Sequence, residues 1–143
     1  MQHRIRDVAF LIARLVVGVT FLAHAYQKFA LWGIDSTAAS FGKMGIPLPT
    51  AAAWFTALVE IVGGIGLILG VLLPVVGVLL AAVMIGALVS AHSGAGFYVS
   101  QGGFEYVLVL SATSLALGFS GSRYSLDALF RRGRTSEAVP AEA

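Results

Sequence analysis

Four apolar stretches, each long or nearly long enough to cross a bilayer, restrict what this chain can fold into. They cover about residues 8–31, 51–70, 74–92 and 104–121, and the longest loop, residues 32–50, separates the first two. A helix needs about 20 apolar residues to cross roughly 30 Å of hydrocarbon, and lipid cannot satisfy open backbone groups. The runs are continuous rather than alternating, which excludes barrel strands. The sequence therefore predicts an all-α integral membrane protein, built as a four-helix bundle.

The composition supports the same class of protein. The 143 residues are 58% hydrophobic and 11% charged, whereas soluble domains are about 45–50% apolar and about 25% charged. The absence of cysteine excludes disulfides, thiolate metal sites and a thiol relay within this chain. The net charge of +2 gives no signal for nucleic acid. The lipid bilayer is the predicted partner, because the chain is so rich in apolar residues. No cleavable signal peptide is expected, because the first apolar stretch, residues 8–31, is longer than a signal-peptide core of roughly 7–15 residues.

The distribution of basic residues predicts the orientation. Arg4 and Arg6 precede the first stretch, while the loops on the opposite side hold only Lys28 and Lys43. Four arginines follow the last stretch: Arg123, Arg131, Arg132 and Arg134. The positive-inside rule then places both termini in the cytoplasm, which agrees with an even number of spans. We expect one transmembrane domain over residues 1–130 and a disordered cytoplasmic tail over residues 131–143.

Ionisable residues inside the apolar stretches form a candidate intramembrane polar site. There are six of them: Arg14, His24, Lys28, Glu60, His92 and Glu105. Charges at membrane depth are costly and usually face the interior of a bundle. At about 100° per residue, Arg14, Gly18, Phe21, Ala25 and Lys28 share one face of the first helix, and His24 lies to one side of it. We expect that face to look into the bundle.

Three interpretations stay open for Glu60, which lies near the bilayer midplane in "WFTALVEIVGG". Side chains lean toward the N-terminus of their own helix, so antiparallel helices favour His24 or Lys28 as its partner. Arg14 is the second candidate. The third interpretation is a neutral, hydrogen-bonded acid with no ionic partner.

The neighbouring polar residues and glycines also have structural interpretations. Lys28 could snorkel to the outer headgroups. Glu105 at a helix start and His92 at a helix end suit the two poles of the helix dipole. In "GGIGLILG", the four-residue spacing of Gly66 and Gly70 permits close helix approach.

Several motifs occur in a specific order along the chain. They are Arg14 with Gly18, "QKF", "GIPLP", "VEIVGGIGLILG", His92, "GFEYVLVL" and "RYSLD". In this order and spacing the chain resembles the DoxX family of small bacterial membrane proteins over about residues 10–128. The resemblance implies a four-helix protein of the bacterial inner (plasma) membrane. It also implies a link to oxidoreductase complexes, including a membrane subunit of a thiosulfate-oxidising, quinone-reducing enzyme, or to defence against oxidative and thiol stress through partner proteins.

Three classes of function follow from these features. The first is a membrane subunit or accessory of a redox or oxidative-stress complex, with a quinone-binding cavity in the outer half where His24, Lys28 and Glu60 supply hydrogen bonds and protons. Its electrons would come from a partner protein, and whether this chain is itself an enzyme stays open. The second is a non-catalytic scaffold or anchor, in which Glu60 and Arg14 hold helices together. The third is a small transporter or lipid-handling protein with a midplane acid.

The expected partners and cofactors are few. Beside the bilayer we expect protein partners or a homo-oligomer, and no nucleic acid. No covalent cofactor and no metal site are predicted, and quinone is the ligand under consideration. A haem bound by His24 and His92 is a weaker alternative, because the two histidines lie at different depths.

Overall fold

The computed structural model describes residues 2–121 and 123–129, and in that part of the chain every regular element is a helix. The α-helices are α1 (Gln2–Tyr26), α2 (Ile34–Lys43), α3 (Pro49–Leu69), α4 (Leu73–Ala87) and α5 (Glu105–Gly118). Wide π-helical turns over Gln27–Leu31 and Leu88–His92 extend α1 and α4, and a 3-10 turn over Val99–Gln101 precedes α5. The predicted all-α class is confirmed. The predicted tail, residues 131–143 with Arg131, Arg132 and Arg134, lies outside the described residues.

Three of the helices are long and apolar enough to cross a membrane. They are Gln2–Leu31, Pro49–Leu69 and Leu73–His92, with 30, 21 and 20 residues. Each lies close to a predicted stretch, although α1 begins six residues before Val8, so that Arg4 and Arg6 belong to its first turns. The helix at the fourth stretch, α5, is apolar but shorter, with 14 residues.

The early end of α5 has a local cause. Gly118 lies against the backbone of α4, where an added Cβ would be 3.0 Å from the Cα of Gly77 and from the Leu73 carbonyl oxygen. Immediately after it, the Ser120 hydroxyl donates to the Leu117 carbonyl, 2.9 Å away, and the chain turns. The helix therefore stops three residues before the predicted boundary at residue 121.

The helices pack as two closely crossed pairs, α1 with α3 and α4 with α5. A Cβ at Gly18 would lie 2.7 Å from the Gly64 carbonyl oxygen, and a Cβ at Gly77 would lie 2.6 Å from the Ser114 carbonyl oxygen. The backbones therefore touch at both crossings. Helix α3 also packs on α4 and joins the two pairs, whereas α1 and α5 contact each other sparsely.

In "GGIGLILG", Gly66 and Gly70 do not form the predicted pair of glycines at a helix–helix crossing. Gly66 faces the Val76 side chain on α4, 2.7 Å from an added Cβ. Gly70 has φ +70° and terminates α3, so it is not part of a helix–helix crossing. The close approach to α1 is made by Gly64, because its carbonyl lies directly against Gly18.

The buried face of α1 is the face that the sequence predicted. Arg14, Gly18, Phe21 and Ala25 are all buried, together with Asp7 and Val17. Phe21 continues into an apolar core with Leu67, Leu80 and Leu117. The opposite sides of the helices expose many large apolar side chains, among them Val16, Val62 and Val109. A surface of this kind matches a lipid environment better than water.

Helix α2 lies within the predicted 32–50 loop and was missed by the sequence prediction. Thr37 and Ala38 on its inner face are buried and pack toward α3, flanked by the half-buried Ile34 and Phe41. These four positions follow the i, i+3, i+4, i+7 pattern of an amphipathic helix. The surrounding glycine, serine and proline residues obscured that pattern.

Candidate functional site

An ion pair is buried between α1 and α3, toward the end of the bundle that holds the C-terminus of α1. We call this the outer end, following the predicted topology. The Lys28 ammonium donates to both carboxylate oxygens of Glu60, at 2.8 and 2.7 Å. Glu60 is 2% exposed and the Lys28 side chain 13%. Of the partners considered for Glu60, Lys28 is therefore the one in contact, and its side chain is directed into the bundle.

Local sequence explains how this pair fits inside the bundle. Lys28 lies in the π-helical turn that follows α1, while Glu60 lies about 16 Å along α3 from Pro49 at 1.5 Å per residue. The two side chains lean toward each other because the helices are antiparallel. Ala25, Ala53 and Ala57 are completely or almost completely buried on the two facing helices. Their small side chains leave room for the lysine to reach the acid.

His24 and Tyr106 form a second contact, between α1 and α5. His24 Nε2 lies 3.4 Å from Tyr106 Oη, and the ring centroids are 5.9 Å apart. Which of the two atoms donates depends on the tautomer of the imidazole. Lys28 lies four residues after His24 and is close enough for its charge to act on the imidazole. We call His24, Lys28, Glu60 and Tyr106 the outer polar cluster.

His92 and Glu105 lie apart from this cluster and fasten the loop between α4 and α5. His92 Nδ1 is 2.7 Å from the Gly102 carbonyl oxygen. Glu105 Oε1 accepts a hydrogen bond of 2.8 Å from the Val99 amide. Both residues therefore hold the loop backbone, and Glu105 also lies in the first turn of α5, where an acid complements the helix dipole.

Arg14 is buried at the other end of the bundle, far from Glu60. Its guanidinium Nη2 donates to the Tyr124 carbonyl oxygen. Its Nη1 lies against Gly70, where an added Cβ would collide with it. Asp127 is near enough to interact with its charge. Arg14 as the partner of Glu60 is thus wrong. Arg14 lies 14 residues before Lys28, the residue that does contact Glu60, and 14 residues of helix correspond to about 21 Å.

The inner end is organised around Arg14, Tyr124 and Asp127, which we call the inner polar cluster. The Asp127 carboxylate accepts from the Leu72 and Leu73 amides, at 3.0 and 3.1 Å, and so caps α4. The Asp127 amide donates to the Gly70 carbonyl, 3.1 Å away. Leu72 has φ +49°, a conformation that is costly for a residue with a Cβ. Segment 123–129 therefore holds the tight α3–α4 turn in a strained shape.

The inner end of the bundle also has an open cavity of about 270 Å³. It is lined by Leu69, Arg123, Tyr124, Ser125, Leu126 and Leu129. Within residues 2–121 and 123–129, no three His, Asp or Glu side chains converge as metal ligands would. The outer polar cluster offers hydrogen-bond donors, acceptors and exchangeable protons in an apolar setting, which is the equipment of acid–base chemistry.

Several residues of these clusters were not selected from the sequence. Tyr106 was missed because a tyrosine at the start of an apolar helix normally marks a membrane interface. Asp127 was missed because it follows the last apolar stretch, although it belongs to the "RYSLD" motif. Asp7, which belongs to neither cluster, was also not selected, although it is 1% exposed on α1.

Comparison with known proteins gives a consistent result. The DoxX family matches residues 9–93, which hold most of α1, all of α2 to α4 and the Lys28–Glu60 pair. The chain is 33% identical over 136 residues to a protein of Bacillus subtilis (strain 168) named "Putative oxidoreductase CatD", covering 94% of this chain and 96% of that protein. No solved structure matches the chain. Both the family match and the near full-length similarity show that the chain belongs to the DoxX family.

Proposed function

We propose that this protein spans the bacterial plasma membrane four times, with both termini in the cytoplasm. Three helices of sufficient length and the apolar α5 support four crossings. The exposed Arg4 and Arg6 at the start of α1 support the cytoplasmic placement of this end, through the positive-inside rule. Trp32 and Trp54 are exposed near the other end, as expected of an interfacial aromatic belt.

Within that membrane, we propose that the chain is a subunit of a redox complex and holds a quinone at its outer polar cluster. The observation that carries this proposal is the buried Lys28–Glu60 pair with His24 and Tyr106 beside it. Membership of the DoxX family and similarity to a protein named as an oxidoreductase support a membrane redox-related role. The chain has no cysteine, so we assign the supply of electrons to a partner protein.

The residues of the outer polar cluster fit a quinone head group. When bound, a quinone supplies two-electron, two-proton carrier chemistry in an apolar phase. His24 Nε2 and Tyr106 Oη are neutral groups able to donate to a carbonyl oxygen. Lys28 stores exchangeable protons next to them, and Glu60 holds Lys28 in position by two hydrogen bonds. The apolar surroundings exclude water and strengthen these electrostatic interactions.

The test is extraction of the native assembly into lipid nanodiscs, followed by mass spectrometry of proteins and bound lipophilic molecules. We expect a partner protein that carries a redox cofactor, and a quinone recovered above its abundance in the surrounding lipid. Glu60→Gln should lower quinone-linked turnover of the recovered assembly at equal partner yield. Recovery of the chain without a redox partner and without enriched quinone contradicts the proposal.

A second candidate function is a non-catalytic scaffold for partner proteins. The observation that favours it is that Glu60 and Arg14 both make internal contacts that tie helices together. Under this alternative, Glu60→Gln lowers the yield of assembled partner and the stability of the bundle in proportion. Turnover per assembled partner then stays unchanged, which distinguishes the two functions.

A further inference from the structure

The Lys28–Glu60 pair is closed to direct contact by a ligand. Glu60 is 2% exposed, and both of its oxygens are occupied by the Lys28 ammonium. A molecule arriving from the bilayer must therefore meet other groups first. His24 is half-buried and Tyr106 is 41% exposed, so these two are the members of the outer polar cluster that a ligand in the lipid can reach.

The packing of the helices indicates where such a ligand would enter. The α1–α3 seam is closed by the contact of Gly18 with Gly64, and the α4–α5 seam by the contact of Gly77 with Ser114. On the α3–α4 side, Leu80 packs against Gly63, 2.7 Å from an added Cβ. The α1–α5 seam is sparsely packed by comparison, and His24 and Tyr106 bridge it at the outer end.

We propose that the α1–α5 seam is a lateral entrance from the bilayer, and that Tyr106 binds the head group of a lipophilic quinone there. This inference rests on the proposed function and adds the entry route and the residue that contacts the ligand. The His24–Tyr106 hydrogen bond is long at 3.4 Å, and a bond of this length is weak compared with the usual nitrogen–oxygen distance of about 2.9–3.0 Å. A ring carbonyl can take the Tyr106 hydroxyl without the loss of a strong internal bond.

Tyr106 then positions the ring beside His24, which lies close enough to Lys28 to feel its charge. The phenol contributes one hydrogen bond to the ligand, and its ring provides an apolar wall facing the hydrocarbon. The isoprenoid tail stays in the lipid outside the seam. Only the outer part of the seam opens for the head group, so α1 and α5 do not need to separate over their whole length.

The experiment measures quinone binding to the purified chain in nanodiscs, with decylubiquinone as the probe. Trp32 and Trp54 are the two tryptophans of the chain, and their quenching reports binding near the outer end. We expect Tyr106→Phe to weaken binding about fivefold to tenfold, the effect of one lost hydrogen bond. The matched control is Tyr26→Phe, which removes a hydroxyl from an exposed tyrosine at the lipid-facing side of α1.

A photoreactive azido-quinone gives a second readout that needs no variant. We expect labelled peptides from the C-terminal half of α1 and the N-terminal half of α5. Saturable wild-type binding with equal affinities for Tyr106→Phe and Tyr26→Phe, or labelling confined to α3 and α4, overturns the entry route but leaves the proposed function standing. Absence of saturable binding by the wild-type chain overturns the quinone site itself.

Discussion

At the scale of single residues, the molecule separates its intramembrane charges into two clusters. Lys28 and Glu60 neutralise each other in the outer half, while Arg14 and Asp127 interact at the inner end. Each charge is held near an opposite one, which reduces the large free-energy cost of placing it in a medium of low dielectric constant. The two clusters can therefore differ in role: the outer polar cluster can take part in acid–base chemistry, while the inner polar cluster fixes the shape of the bundle.

The two members of the outer pair should respond unequally to substitution. Lys28→Met leaves a deeply buried carboxylate, whereas Glu60→Gln leaves an ammonium on a flexible side chain that can reach the outer headgroups. We expect Lys28→Met to lower the free energy of unfolding by about 3 kcal/mol or more, and Glu60→Gln by less. Unfolding in mixed detergent micelles measures both.

A double-mutant cycle tests whether these two effects belong to one interaction. The Lys28→Met and Glu60→Gln double variant should lose less stability than the sum of the single variants, with a coupling of about 0.5–3 kcal/mol. Lys43→Met is the control, since Lys43 is exposed at the end of α2. Strict additivity of the two substitutions would mean that the pair contributes no stability.

The partner of Glu60 was only partly predictable from the sequence. The lean of side chains on antiparallel helices favoured His24 or Lys28 over Arg14, and Lys28 is the residue in contact. Sequence could not separate Lys28 from His24, because that choice depends on the π-helical turn at Gln27–Leu31. It could not select Tyr106 either, since the pairing of α1 with α5 is a tertiary contact.

At the scale of helices, the two glycine crossings set how closely the elements approach. Gly18→Ala adds a Cβ that would lie 2.7 Å from the Gly64 carbonyl oxygen and from an Ile68 side-chain carbon. The backbone of α3 cannot yield as a flexible side chain can, so we expect a loss of about 1–3 kcal/mol in the free energy of unfolding.

The matched control for this substitution is Gly86→Ala. Gly86 lies on α4 with nothing within 4 Å of an added Cβ. Alanine should there stabilise the helix by up to about 1 kcal/mol, through its higher propensity. Thermal unfolding of both variants by circular dichroism compares them, and equal behaviour would show that the Gly18–Gly64 crossing is not tightly packed.

The Asp127 cap at the start of α4 is a second contact that fixes the arrangement of the helices. Asp127→Ala removes both acceptors from the Leu72 and Leu73 amides, and we expect a loss of about 0.5–2 kcal/mol. Hydrogen exchange at these two amides should accelerate, while exchange near Glu60 stays slow. Asp35→Ala, an exposed acid in the first turn of α2, provides the comparison. Unchanged protection of Leu72 and Leu73 would contradict the capping role.

The helices themselves were largely predictable, and their exceptions have physical causes. Continuous apolar runs located α3, and α4 together with the π-helical turn that extends it to His92, within one or two residues, because hydrocarbon thickness fixes their length. The amphipathic α2 was missed because its apolar positions are few and its flanks are rich in turn-forming residues. Helix α5 ends early at Gly118, where the Ser120 hydroxyl donates to the Leu117 carbonyl and the chain turns, and a hydropathy pattern does not show this local hydrogen bond.

At the scale of the whole molecule, the proposed function depends on a fixed orientation in the membrane. Since the chain contains no cysteine, single cysteines can report the side on which each position lies. We expect Ser36→Cys in α2 and Ser100→Cys in the α4–α5 loop to react with an impermeant maleimide in intact spheroplasts. His3→Cys should react only after lysis. The reverse pattern would invert the topology and place the outer polar cluster on the cytoplasmic side.

An equilibrium titration of the wild-type chain in nanodiscs with decylubiquinone tests most directly whether the outer polar cluster holds a quinone. We expect quenching of Trp32 and Trp54 that saturates at a defined stoichiometry. Binding should weaken when Glu60 is replaced by Gln, because Glu60 then no longer holds Lys28 in position next to His24, and should stay unchanged when Lys43 is replaced by Met. Quenching that rises linearly with quinone concentration, alike in all three proteins, would reflect partition into lipid and would contradict the claim.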